Sequence, residues 1–283
     1  MFSEGDTISL RTHQGHFATY TIIKPFLPFT KSVVLLAESN GPGGNETVVL
    51  KIYDPRYLDE RLSEIPSIPA RPWTLVAERA AAFSRALATE PFDESQLHED
   101  EPEDEEGRAA RAALWEEYFF SLSTDCFQVE CQAYKRLRHL QGSAIPRLFT
   151  RGHLILPQGE RAIEPPVIVL ENIPSTTLRD IPEDALAECA EACKLLVQAI
   201  DSFATRGVFH GDINHNNVLF SPPERPARAV LIDFGCGGIR QLNEDEETWK
   251  FNVSFANDSR RIRRLLKEKG VEIRVHTGDG ATT

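Results

Sequence analysis

The chain has 283 residues, 41% hydrophobic and 26% charged, an ordinary globular composition that excludes wholesale disorder. That length accommodates two domains or one two-lobed unit and speaks against a repeat solenoid or a small stapled fold. A formal net charge of −12 argues against nucleic acid or anionic membrane being gripped by a global positive field, so any phosphate ligand must be met by local groups.

The five cysteines, Cys126, Cys131, Cys189, Cys193 and Cys236, show neither CxxC nor Cys/His metal spacing. Reduced thiols in a cytoplasmic or nuclear protein are the expectation. The opening stretch MFSEGDTISLRTHQ has no apolar core of signal-peptide length, and no uncharged apolar run approaches membrane-spanning length. A protein that is neither secreted nor membrane-bound is expected.

From Phe17 to Tyr53 the pattern is β-rich: HFATYTIIKPF, KSVVLLAE and ETVVLKIYD, with a turn at Asn40-Gly41-Pro42-Gly43-Gly44 between the last two. This reads as an antiparallel meander. Residues from about Asp54 to Gly107 are proline-rich, then carry a short helix around Leu75 to Ala88, then a dense acidic run from Asp93 to Glu106. They read as an insertion, in part without fixed structure. Helical spacing returns from Arg108 to Gln141, and the polar stretch Ser121-Leu122-Ser123-Thr124-Asp125 suggests a break into two helices. Strands are expected at Arg147 to Leu156 and Pro166 to Asn172. A strong helix follows from Pro182 to Arg206, with Leu186, Cys189, Cys193, Leu196, Ile200 and Phe203 on one face and Gly207 as its stop. Two short strands, Asn217 to Phe220 and Ala229 to Ile232, precede a basic helix at Asp258 to Lys269. Its arginines read as a solvated face, and Trp249 and Phe251 as core beneath it.

Three separated segments share one chemical logic. Lys51 stands inside the apolar strand Val48-Val49-Leu50-Lys51-Ile52; an edge lysine turned to solvent is the commoner case, whereas a buried ammonium requires an anion. The sequence His210-Gly211-Asp212-Ile213-Asn214-His215-Asn216-Asn217 follows the long helix, and Leu231-Ile232-Asp233-Phe234-Gly235 ends a short strand. The set resembles the protein-kinase-like superfamily, with its strand lysine, catalytic loop and Asp-Phe-Gly motif in that order. The resemblance covers about Tyr20 to Leu266 without the acidic insertion.

The resemblance implies an α+β, bilobal protein-kinase-like fold: an N-lobe of antiparallel sheet and one helix over residues 1–172, with the insertion at about 54–107, and a reduced, mainly helical C-lobe over 173–283. It implies an ATP- and Mg2+-dependent phosphotransferase that moves the γ-phosphoryl group to a hydroxyl of an unidentified protein or small molecule. Lys51 would meet the α/β-phosphates and be oriented by a helix glutamate, with Glu130 the best match and Glu116 and Glu117 as competitors. Asp212 would accept the proton of the attacking hydroxyl, and Asn217 and Asp233 would hold magnesium. His210 would pack and hydrogen-bond within the loop. Backbone groups around Glu171 and Ile173 would bond the purine edge, with Leu170 as a wall and Leu219 also among the cofactor-binding residues.

Several positions depart from the family pattern. The segment Lys24-Pro25-Phe26-Leu27-Pro28-Phe29-Thr30-Lys31-Ser32 has no glycine where a phosphate loop is expected, and its prolines remove amide donors. Thr30, Lys31 and Ser32 are the donors left to compensate. Gly211 stands where protein kinases carry arginine, and the His-Gly-Asp run is more similar to aminoglycoside phosphotransferases. No Ala-Pro-Glu segment follows Gly235, which resembles the short, atypical kinase-like proteins of filamentous fungi. A pseudokinase scaffold and a small-molecule kinase are therefore the alternatives.

Overall fold

The structure is a computed structural model, describing residues 2–41, 46–62, 69–98 and 102–273. Residues 42–44 of the expected turn at 40–44 and parts of the proline-rich and acidic stretches lie outside the described residues. The chain divides into two compact units: Met1–Cys131 with Leu148–Asn172, and Gln132–Arg147 with Ile173–Thr283.

The first unit is built on six antiparallel strands: β1 (Thr7–Thr12), β2 (Phe17–Phe26), β3 (Val33–Ser39), β4 (Thr47–Ile52), β5 (Leu148–Ile155) and β6 (Pro166–Glu171). They close into a barrel in the order β1-β2-β3-β4-β6-β5. Alternation explains the filling: Leu10, Ile22, Leu35, Leu50, Leu154, Val167 and Val169 all turn inward and form one buried cluster.

This corrects the expectation of a bilobal protein-kinase-like fold: the strands form a closed six-stranded barrel, and the rest is a helical part carrying two small sheets. The expected meander lacked β1, the strand that closes the circle by pairing with both β2 and β5. Closure depends on a residue with no side chain. Gly152 lies opposite Thr12, and a Cβ there would run into the backbone of Arg11 and Thr12. Register shifts between Ile22 and Lys24 and between Leu148 and Thr150 bend the two long strands around the barrel.

Two helices belong with this barrel in sequence: α1 (Leu75–Leu87), capped by the Thr74 side chain, and α2 (Glu105–Arg136). The expected break at Ser121–Asp125 does not occur. α2 runs for 32 residues without interruption, because Ser121 to Asp125 holds neither glycine nor proline and its serines and threonine tolerate a helix interior.

The described part of the insertion is anchored by buried ions rather than left loose. Arg161 meets Asp54 at 3.0 Å and Glu78 at 2.6 Å, and Arg61 meets Glu116 at 2.6 Å. Burial by itself would raise the Asp54 and Glu78 carboxyls, but hydrogen bonds and charge from Arg161, and from Arg56 at Asp54, hold both below the ordinary range. Folded carboxyls depressed in this way contribute stability above their unfolded value of about 4, and that contribution is lost as pH falls through the folded values. The melting temperature is therefore expected to fall as the pH is lowered below about 4. Arg161→Met should be less stable at pH 7 and lose less on acidification; parallel melting curves against pH for the two proteins would refute this.

The second unit adds β7 (Thr176–Thr177), α3 (Glu183–Glu188), α4 (Ala190–Phe203), β8 (Val208–Phe209), β9 (Val218–Ser221), β10 (Arg228–Leu231), β11 (Gly238–Ile239), α5 (Glu246–Ala256) and α6 (Asp258–Glu268). The expected helix at 182–206 is two helices that meet at Cys189, whose backbone leaves helical geometry at φ −94° and ψ 15°. Its apolar face is buried as the spacing predicts, from Leu186 through Cys193, Leu196 and Ile200 to Phe203. Gly207 ends the segment at φ +69°, a left-handed conformation that favours glycine. Trp249 is core, but Phe251 is 70% exposed on the opposite side of α5 and corrects the expectation for it. None of the five cysteines is joined in a disulfide. No helix among the described residues is long and apolar enough to cross a membrane.

Candidate functional site

In the first unit the strand lysine is central, not marginal. β4 lies between β3 and β6, with Lys51 opposite Val34 and Ile168. Its neighbours Leu50 and Ile52 point into the barrel, so Lys51 points outward, yet it is only 4% exposed. A buried ammonium needs an anion, and Lys51 Nζ donates to Glu130 Oε2 at 2.5 Å. The Tyr53 hydroxyl donates to the same oxygen at 2.5 Å, and the ammonium lies 5.6 Å from the Tyr53 ring centre.

The competing glutamates are taken by other cations. Glu116 binds Arg61 and Glu117 binds Arg85, the latter at 2.7 Å. Helix geometry explains the selection: Glu116 is fourteen residues before Glu130 on α2 and faces a similar direction, but lies about 21 Å away along the axis. Leu170 stands opposite Val49 on the same outer barrel face as Lys51 and is buried. Glu171 ends β6 opposite Val48.

The glycine-free segment between β2 and β3 offers little to a phosphate. Lys31, read as a compensating donor, is paired with Glu60 and Asp59. Ser32 is buried, and the carbonyl of Thr30 accepts from the Asp59 amide at 3.0 Å.

In the second unit, the loop from His210 to Asn217 is fixed by hydrogen bonds at nearly every step. The Asp212 amide donates to His210 Nδ1 at 3.2 Å, which leaves Nε2 as the protonated nitrogen, directed at the Ile232 carbonyl at 2.9 Å. His210 is fully buried and meets the Phe234 ring edge-on at 4.9 Å, so it acts as a strut. Asn217 Nδ2 donates to the Asp212 carbonyl at 2.9 Å and to Asp212 Oδ2 at 3.1 Å. The Asn217 carbonyl accepts from the Ile232 amide at 2.9 Å. This bond sets Asn217 beside the strand end that carries Asp233.

Asp233 has φ +70°, in the left-handed region that non-glycine residues seldom occupy, and its Oδ1 accepts from the Gly235 amide at 3.4 Å. Asp212, Asn217 and Asp233 are thus gathered within one unit, with Phe234 anchored in the core against Tyr134 and Phe203. Ile173 and Leu219, also in this unit, are an interior residue and a half-buried β9 residue paired with Val230.

Two features of this loop escaped the sequence reading. Asp258, read only as the start of the basic helix, is buried, and its two oxygens accept from the His210 amide at 2.5 Å and the Gly211 amide at 3.1 Å. An acidic residue at a helix start looks like a dipole partner in sequence, so nothing in the pattern marks this long-range role. Gly211 has φ +76°, and a Cβ on it would stand 2.7 Å from the Cys236 carbonyl. Any side chain is disfavoured there by the backbone packed against it.

No protein-family model matches the chain. Part of it is similar to a probable bifunctional tRNA threonylcarbamoyladenosine biosynthesis protein of Methanothermobacter thermautotrophicus, at 33% identity over 79 residues. That stretch is 28% of this chain and spans 13% of the archaeal protein.

Proposed function

We propose that the protein is an ATP- and magnesium-dependent phosphotransferase acting on a hydroxyl of a protein or small molecule. The observation that carries this reading is the gathering of Asp212, Asn217 and Asp233 on one hydrogen-bonded frame. Phosphoryl transfer asks for positioned charge more than covalent help. Asp212 orients the acceptor hydroxyl and takes its proton. The Asn217 amide nitrogen is committed to Asp212, so its oxygen is the atom it offers as a ligand.

That oxygen and the Asp233 carboxylate form a small, hard donor set, which fits magnesium with its preference for few protein ligands and several waters. Bound magnesium would neutralise charge on the phosphates. Lys51, oriented by Glu130 and Tyr53, binds the α/β-phosphates. Leu170, Glu171, Ile173 and Leu219 serve the nucleotide's base.

That the chain is an enzyme at all is supported, in coarse terms, by the name of its partial archaeal relative, a biosynthesis protein. The same match favours a second reading, a part in making the threonylcarbamoyladenosine modification of tRNA. At a net charge of −12 direct tRNA binding is disfavoured; turnover raised by added tRNA would support that role.

The first test is thermal stabilisation by ATP with and without magnesium. A ligand that binds only the folded state at 100 times its Kd adds about 2.7 kcal/mol, so a magnesium-dependent rise in melting temperature is expected, and Asp233→Asn should abolish it. A shift with no transfer from γ-labelled ATP to protein or small-hydroxyl acceptors would mean a nucleotide-binding scaffold. Absence of any shift would remove the nucleotide reading altogether.

A further inference from the structure

An open groove of about 960 Å³ lies between α1 and the first turns of α2, wholly within the first unit and away from Lys51 and Glu130. Its α1 wall includes Val76, Ala80, Ser84 and Ala88, and Val76 and Ala80 belong to an apolar stripe that continues along the solvent-facing edge of the helix: Val76 is 78%, Phe83 68% and Leu87 67% exposed, with exposed Ala80 between them. Steps of four, three and four residues place these side chains on one face, the pattern of an amphipathic helix that still lacks a partner on that side.

The facing wall is α2, and it presents alanines: Ala109, Ala110 and Ala113. Two helix walls floored by small side chains form the seat that a third helix packs into, because small residues let backbones come close. α1 has 13 residues, about 20 Å of length, which matches a partner helix of three to four turns.

Charge selects the occupant. The groove is rimmed by Glu90, Asp93, Glu106 and Glu117, and the cation among its lining residues, Arg85, is held by Glu117 at 2.7 Å and lies over the Phe120 ring. The rim is left acidic. The chain's own basic helix is not the complement, since Ile262, Leu265 and Leu266 of α6 are already buried in the second unit. We infer that this groove docks a basic amphipathic helix of a partner protein, its leucine-like face on Val76, Ala80 and the facing alanines and reaching the exposed edge of Phe83 and Leu87, and its lysines or arginines against the acidic rim.

The probe is a fluorescein-labelled 14-residue helical peptide with leucine at positions 1, 4, 8 and 11 and lysine or arginine on its flanks, titrated with the full chain by anisotropy. Saturable binding is expected, weakening with salt and falling at least tenfold when the flanks are changed to glutamate. The surface variant Glu90→Lys/Asp93→Lys/Glu106→Lys and the groove-filling Ala110→Trp should each weaken the basic peptide at least tenfold. Equal binding of acidic and basic peptides, or undiminished binding by both variants, would overturn the inference. Sedimentation showing self-association that Ala110→Trp abolishes would also overturn it, by making a second copy the occupant.

Discussion

Asp212→Asn should lower phosphoryl transfer by about 10²- to 10⁴-fold, the range a positioned general base contributes, while leaving magnesium-dependent ATP binding in place. The reason lies in how the loop is held. The Asp212 amide is bonded to His210 Nδ1 and its carbonyl to Asn217 Nδ2, and the bond that its carboxylate accepts from Asn217 Nδ2 at 3.1 Å can be accepted by an asparagine side-chain oxygen instead. Asparagine preserves size and backbone bonds but offers no site for the hydroxyl proton. The fold should therefore survive, with a melting temperature within a few degrees of the parent. Initial rates with γ-labelled ATP, measured beside the thermal shift, separate the two effects. Turnover that persists in the variant would remove Asp212 from the role of base.

Lys51→Met should be the most destabilising single change among the proposed site residues, at about 3–5 kcal/mol, because it strands the buried Glu130 carboxylate. Lys51 and Glu130 are 4% and 0% exposed, so water cannot take over either charge. The Tyr53 hydroxyl gives Glu130 one hydrogen bond, which softens the loss without neutralising the ion. Glu130→Leu alone should cost a similar amount, since it leaves the ammonium buried. The double variant Lys51→Met/Glu130→Leu should recover most of the loss, because an apolar pair of similar volume replaces two desolvated charges. Urea unfolding followed by tryptophan fluorescence reads this directly, with Trp73 and Trp115 reporting on the first unit. Costs below about 1 kcal/mol for both single variants would mean that the pair is hydrated and less tightly coupled than its 2.5 Å separation implies.

The groove and the Lys51 pair place different demands on the same helix. Glu130 lies near the end of α2, where it serves the buried lysine, whereas Ala109, Ala110 and Ala113 lie near its start, where they leave room for a partner. A single unbroken helix therefore carries both features. This is why the uninterrupted course of α2 through Ser121–Asp125 matters beyond secondary structure: a break there would separate the two groups mechanically.

The candidate site residues were legible in the sequence itself. A lysine within an apolar strand, a His-Gly-Asp loop ending in asparagine and an Asp-Phe-Gly turn are local patterns, and local patterns survive in sequence because neighbours along the chain set them. The periodicity of α4, the stop at Gly207 and the strand expected at Pro166 to Asn172, which ends at Glu171, are legible for the same reason. Choosing Glu130 over Glu116 and Glu117 was a weaker inference, since all three lie on one helix and only their distance from Lys51 distinguishes them.

What the tertiary structure alone decided is long-range. Barrel closure rests on β1 meeting β5 at Gly152, more than 130 residues apart in the chain, and a single strand signal does not say which edge it will pair with. The fold expectation failed at this point: alternation specifies a face to bury, whereas closure is set by register and by one missing side chain. Asp258 is a similar case, a carboxylate whose partners at His210 and Gly211 are 48 and 47 residues away. The sequence determined which residue types are available for chemistry and which faces must be buried, because both follow from side-chain character and local spacing. The fold decided which of those residues meet, because burial and hydrogen bonding are satisfied by whatever the completed topology brings together.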